Sequence, residues 1–256
     1  MIRLIIAALL LPLTCYAASN NFLGKEDPAY VLGKENAAIA SVSGVTLTQA
    51  ASDVAISDNF NRADNESIGA SWSEVVTTGS GFDINNDVLR YTTGTGNVIA
   101  IHQTPTLAAN QYLKYKILNK DAGAQYGFVS RYTNSSSPFY IVELAGTGTL
   151  TWYRCASTAM SCSSVGATTL SHATNDTLAV TISGTGASTV LNFWLNQTAN
   201  LPVSATEWDA GDSTPDATLT DDPASAVDTG TSLGIDANQG SNGVIRIDDF
   251  FAGDIP

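Results

Sequence analysis

The amino-acid sequence predicts an all-β protein in which two antiparallel sheets pack face to face as a sandwich. Three observations carry that expectation. From Asp58 onward apolar and polar residues alternate with a period of two, no stretch of a dozen residues carries an apolar stripe at helical spacing, and clusters of Gly, Asn and Asp recur between the alternating runs. Many short strands separated by turn formers are what two packed antiparallel sheets require.

The strands follow in order. Val88 to Tyr91 and Val98 to His102 come first, and then Leu113, Tyr115 and Ile117 alternate with Lys114 and Lys116, which reads as one buried and one solvated face. Tyr126, Phe128 and Tyr132 share a parity with Ser130, and Phe139 to Leu144 and Leu150 to Arg154 follow. Leu178, Val180 and Ile182 alternate with Thr177, Ala179 and Thr181, and the series ends with Val190 to Leu195, Ser232 to Ile235 and Val244 to Phe251. Their separators are Asn85-Asn86-Asp87, Gly94-Thr95-Gly96, residues 119–123, residues 134–138, Gly146-Thr147-Gly148 and Gly184-Thr185-Gly186. Residues 196–228, with Pro202, Pro215, Pro223 and seven acidic residues, are the long irregular excursion. A structureless loop of that length is uncommon in a compact domain, so it is expected to be partly paired or functional.

Before these strands lie two other kinds of sequence. Met1 to Ala17 combines one basic residue, Arg3, with an apolar run too short to span a bilayer and small residues at Cys15 and Ala17, the pattern of a secretory signal peptide cut after Ala17. Cys15 leaves a lipid anchor as an alternative, against which Pro12-Leu13-Thr14 fits poorly, and a retained helix is the third possibility. Residues 18–57, rich in Ala, Ser, Asn and Gly, read as a linker or peripheral segment that could dock a strand on the main body, and residues 58–256 as the domain itself. The expected location is therefore secreted, periplasmic or cell-surface, with no membrane span once the leader is cut.

Charge and rare residues exclude several classes of function. The whole chain has a formal net charge of −13, and without Arg3 there remain ten basic residues against 24 acidic ones. Such a field repels nucleic acid and anionic membrane, and no Lys/Arg cluster overrides it locally. Two histidines are too few for a histidine-built zinc site. Cys155 and Cys162 are the thiols left after leader removal, and their close spacing in an exported chain predicts a disulfide closing a hairpin-like loop. A loop this short stabilises by roughly 2–3 kcal/mol on a chain-entropy estimate.

Asp58-Asn59-Phe60-Asn61-Arg62-Ala63-Asp64, followed by Ile68-Gly69-Ala70 and Trp72, resembles the D-x-F-N-R-x-D-G…L-G…W opening of bacterial laminin-G-like, concanavalin A-like jelly-roll domains. Residues 229–235, Thr-Gly-Thr-Ser-Leu-Gly-Ile, and Ile247-Asp248-Asp249-Phe250 match the far end of that family, so the resemblance covers about Asp58 to Ile255. Asn65 stands where glycine is usual, a substitution that an asparagine's tolerance of positive φ allows. The resemblance implies a jelly roll and leaves activity open, because the same sandwich carries lectins, glycanases, lyases and plain adhesion domains. Arg62 and Asp64 read as polar fixtures of the turn after the first strand, with Trp72 packing on the core.

Three sets of candidate site residues emerge. For carbohydrate binding, an exposed aromatic platform flanked by polar groups would serve; Trp208 in the long excursion is the first candidate and Trp152, Tyr153 and Arg154 beside the cysteines the second, while Trp194 packs inside. For catalysis, Glu207 and Asp209 would point the same way on a strand, with Asp212 as a third carboxylate, similar to the E-x-D-x-x-E signature of a glycanase family on this fold. For a metal, Asp248 and Asp249 sit on opposite faces of a regular strand, so one of them leans toward apolar company. The resemblance implies that the first and last strands meet, which would gather Asp58, Asn59, Asp248 and Asp249 around a structural calcium ion. The competing arrangement pairs Arg62 or Arg246 with one aspartate and solvates the other. The functional expectation is a non-catalytic carbohydrate-binding or adhesion module with a polysaccharide or glycan partner; the alternatives are a polysaccharide-active enzyme and a purely structural surface protein.

Overall fold

The structure, a computed structural model, describes residues 41–42, 45–46, 56–64, 67–76, 81–91, 96–103, 106–119, 121–199, 201–208, 214–221, 226–239 and 244–255. The expected signal peptide, nearly all of the expected linker, Asn65, Asp209 and Asp212 lie outside the described residues. The chain divides into two units, Met1–Ala50 and Ala51–Pro256. In the first, β1 (Ser41–Val42) pairs antiparallel with β2 (Val45–Thr46).

The second unit carries β3 (Ile56–Asp58), β4 (Trp72–Val76), β5 (Asp83–Ile84), β6 (Leu89–Tyr91), β7 (Gly96–His102), β8 (Gln111–Ile117), β9 (Ala124–Tyr132), β10 (Phe139–Ala145) and β11 (Thr149–Cys155). They are followed by β12 (Cys162–Thr169), β13 (Thr177–Ser183), β14 (Val190–Leu195), β15 (Ala217–Thr220), β16 (Ser232–Gln239) and β17 (Ile245–Asp254). One sheet has the order β12-β11-β10-β9-β16-β7-β4; the other has β15-β14-β13-β8-β17-β6-β5, with β3 also pairing β17. Every strand pair is antiparallel. The protein is thus an all-β, two-sheet antiparallel sandwich, as the alternation predicts.

The inward positions of both sheets make one core, with Leu113, Tyr115 and Ile117 facing Tyr126, Phe128 and Ile235. Tyr115 and Phe128 stack across the interior at 4.3 Å between ring centroids, and Tyr140 lies 4.8 Å from Trp152. Several elements carry no clear alternation and were not expected, among them β4, β5, β12 and β15. The Ser/Thr/Gly strand β12 is an edge with one strand neighbour, and β15 lies within the excursion, paired with β14. Ile56 and Ser57, placed with the linker by composition, belong to the sheet, where Ile56 is buried and pairs with Ala252.

Two fixtures close the ends of the sandwich. Asp58 accepts hydrogen bonds from the Phe60 amide, both terminal nitrogens of Arg62 and the Trp72 indole, at 2.9–3.0 Å. At another place the buried Arg131 guanidinium donates to the carbonyls of Ala109, Gly184 and Val227, while Asp221 accepts from the Tyr140 hydroxyl and from Arg154. Burial lowers the Arg131 pKa, the cost of placing a charge there, and the carbonyl cage offsets it. The expected disulfide is present: Cys155 and Cys162 face each other across β11 and β12 and close the hairpin.

Candidate functional site

The long excursion folds back on the outward face of the eight-stranded sheet. Four side chains standing on that face or in the returning loop bond its backbone carbonyls. Thr181 and Asn192 both donate to the Ala205 carbonyl, at 2.7 and 2.9 Å. Lys114 donates through Nζ to the carbonyls of Thr198 and Ala199, and the Trp208 indole donates to that of Ala199 at 3.0 Å. Beneath the loop, Tyr112, Ala179, Trp194 and Trp208 form a second apolar cluster.

This arrangement corrects three expectations. Trp208 is 0% exposed, wedged 5.5 Å from the Trp194 ring and 5.9 Å from Tyr112, so it is a packing residue and not a platform open to solvent. Lys114 is 5% exposed, because the loop carbonyls replace water around its ammonium group. Trp152 is buried in the main core. Of its neighbours, Tyr153 is half-buried on the outer face of the other sheet, and Arg154 is held by Asp221 at 2.9 Å. Glu207 is half-buried at the isolated bridge it makes with Ser204.

At the border of the returning loop, β17 is irregular. Its register with β8 runs Asp248 against Lys116 and then Phe251 against Lys114, so a bulge intervenes and Asp249 takes a φ of +52°. The bulge also reverses the facing of the strand. Ile245 and Ile247 point inward before it, Phe250 and Ala252 after it, and both aspartates are kept out of the core. The strict alternation used to place one aspartate in apolar company does not hold here. Asp248 accepts from the Asp249 amide at 2.8 Å, and burial raises its carboxyl pKa while Lys116 opposes the rise. Asp58, within electrostatic reach of Asp248, is committed to Arg62 at 2.9 Å, and Asn59 caps its own turn through the Asn61 amide. Among the described residues no group of three or more His, Cys, Asp or Glu side chains is arranged to hold a metal.

The bulge and the loop together shape a cleft of about 560 Å³. One wall is Lys114, Lys116 and Thr177; the others are Asn196, Gln197 and Thr198 from the loop and Asp249 and Phe251 from the bulge. Asn196, which turns the chain out of β14, has a φ of +61°. Lys114 Nζ lies 6.0 Å from the Phe251 ring centroid, within cation–π range. The cleft thus offers one aromatic ring among amide, hydroxyl, ammonium and carboxylate groups. Of its residues only Asp249 was singled out from the sequence. The signal for the others was the pairing of an unexplained long excursion with a strand that carries two adjacent aspartates at its middle.

A different feature occupies the outward face of the seven-stranded sheet. Glu143 on β10, Gly127 on β9 and Asp236 on β16 lie in one row across three strands. Both acids are buried, and burial raises the pKa of each; for Asp236 the neighbouring Glu143 adds to the rise.

No family model and no curated protein matches the chain. Among solved structures it is similar to the carbohydrate recognition domain of Emp46p in a single-site mutant form, at 9% identity, over 78% of this chain and 95% of that one, with a TM-score of 0.50. The fold is a jelly-roll β-sandwich. A family-66 carbohydrate-binding module from Bacillus subtilis is similar at 8% identity, over 71% of this chain and 95% of that one, with a TM-score of 0.45. A family-16 glycosyl hydrolase from Mycobacterium smegmatis is similar at 12% identity, over 78% of this chain and all of that one, with a TM-score of 0.48. At these identities the likeness is one of fold. Among the described residues no helix is long and apolar enough to cross a membrane.

Proposed function

We propose that the chain is an exported, laminin-G-like carbohydrate-binding module, and that the cleft between the β17 bulge and residues 196–198 is its site. The observation that carries the reading is Phe251, set on the outward face beside Lys114 and ringed by Asn196, Gln197, Thr198, Thr177 and Asp249. The apolar face of a sugar ring stacks on such an aromatic surface, and its hydroxyls exchange hydrogen bonds with amides, hydroxyls and carboxylates around the rim. Emp46p, which has this fold, carries a carbohydrate recognition domain by name; what supports sugar binding in this chain is the cleft itself. The test is retention on a panel of polysaccharides. Saturable retention is expected, weakened about tenfold or more by Phe251→Ala with the melting temperature little changed. Retention that is indifferent to Phe251→Ala and Asp249→Asn would overturn the assignment of the cleft.

The second reading is a polysaccharide-active enzyme on the same sandwich. Its supporting observation is the Glu143–Asp236 pair, since two adjacent carboxyls with raised pKa values suit general acid and base roles. New reducing ends or unsaturated products in the same panel, abolished by Glu143→Gln or by Glu207→Gln, would favour it. No retention and no products across the panel would favour a structural surface protein.

A further inference from the structure

The Glu143–Asp236 row poses a problem in charge balance that the glycan reading does not touch. Asp236 is 1% exposed and Glu143 5%. Among the described residues neither carboxylate oxygen of Asp236 meets a hydrogen-bond donor; its polar company is the Glu143 carboxyl. Among the described residues Glu143 has one weak donor, the Asn238 amide at 3.4 Å. The strand register places the neighbouring outward positions: Thr151 beside Glu143, Ile99 beside Asp236, and Val129, Ile141, Gly234, Asn238, Asn97 and Gln125 in the flanking rows. None of them is basic. The arginines of these strands serve elsewhere, Arg131 in its carbonyl cage and Arg154 on Asp221.

Gly127 shows that the meeting of the two acids is built into the sheet. A Cβ at that position would stand 2.5 Å from Asp236 Oδ2 and 2.7 Å from its Cβ, so the aspartate lies over the glycine. Any other residue in this row would separate it from Glu143. Two buried carboxyls brought together without a basic partner are costly unless a cation or a shared proton lies between them.

We propose that Glu143 and Asp236, completed by the Asn238 side-chain oxygen after rotation of its amide, bind a calcium-class divalent cation above Gly127. The donors are all hard oxygens, two carboxylates and one amide, which suits calcium; backbone carbonyls or water complete the six to eight ligands it takes. This place is distinct from the meeting of β3 and β17, where Arg62 already neutralises Asp58.

The experiment uses the purified protein stripped with EDTA and then titrated with calcium, magnesium or manganese, read by calorimetry, elemental analysis and thermal melting. The expected result is one tightly held ion per chain and a melting temperature that rises by about 5 °C or more when calcium is restored at about 1 mM. Asp236→Asn and Glu143→Gln, both nearly isosteric, should abolish the uptake and the shift, while Asp249→Asn keeps them. An unmoved wild-type melt with no bound ion would overturn the proposal and leave a proton-sharing acid pair, in which case the Asp236→Asn protein melts at or above the wild type near neutral pH. Uptake lost in Asp249→Asn and retained in Asp236→Asn would also overturn it, by placing the ion on the other sheet.

Discussion

Trp208→Ala separates a packing role from a ligand-contacting one. The indole is 0% exposed and fills the space between Trp194, Tyr112 and the returning loop. Removing a buried tryptophan costs about 3–5 kcal/mol in lost transfer and cavity free energy. The two ring contacts, at 5.5 and 5.9 Å, place the expected loss toward the upper end of that range. The lost indole hydrogen bond adds little, because the Ala199 carbonyl that accepted it keeps Lys114 Nζ as a donor. For a unit of this size each kcal/mol moves the midpoint by about 2–4 °C, so the variant should melt roughly 6–20 °C below the wild type. Trp208→Phe, which keeps a ring in place, should lose less than half as much. Scanning calorimetry and circular dichroism measure both. A midpoint within about 3 °C of the wild type, accompanied by lost polysaccharide retention, would refute the packing argument and return Trp208 to the role of an exposed platform.

Reduction of the Cys155–Cys162 bond, which closes a loop with a sequence separation of 7, should destabilise the native state by about 2.5 kcal/mol and lower the midpoint by about 5–10 °C, as compared by melts with and without reductant. Alkylation of both cysteines without reductant would contradict the bond. Tyr126 predicts an alkaline limb: burial pushes its phenol up to about 12, with the Asp121 amide hydrogen bond acting in the other direction. The unfolded chain therefore releases this proton first, so the contribution is fully present below about pH 10 and is lost as the pH rises through about 12. Denaturant midpoints of the wild type should fall across that window more steeply than those of Tyr126→Phe; equal slopes would show that Tyr126 titrates as an exposed phenol.

Much of the sandwich was legible because its physics is local. Val190 to Leu195 has the same bounds in sequence and structure, and the alternation of Leu113, Tyr115 and Ile117 places all three in the core. The spacing of Cys155 and Cys162 sufficed for their pairing, since two strands joined by a short loop bring such residues opposite one another. Arg62 in the turn after the first strand and Trp72 in the core were legible too, the first because its partner Asp58 is four residues away. What the sequence by itself determined was therefore strand periodicity, sheet packing and the nearby pairs. The candidate site was decided elsewhere. Lys114 has the pattern of a solvated face until residues 198–199 return over it, and Trp208 sits in polar sequence yet enters an apolar pocket made by Tyr112 and Trp194. The bulge at Asp248–Phe251 reverses a parity that a regular strand would keep, and Glu143 meets Asp236 only because β9 places a glycine between two strands far apart in sequence. Each of these depends on how distant segments register against one another, and a residue's own neighbours along the chain carry no record of that contact.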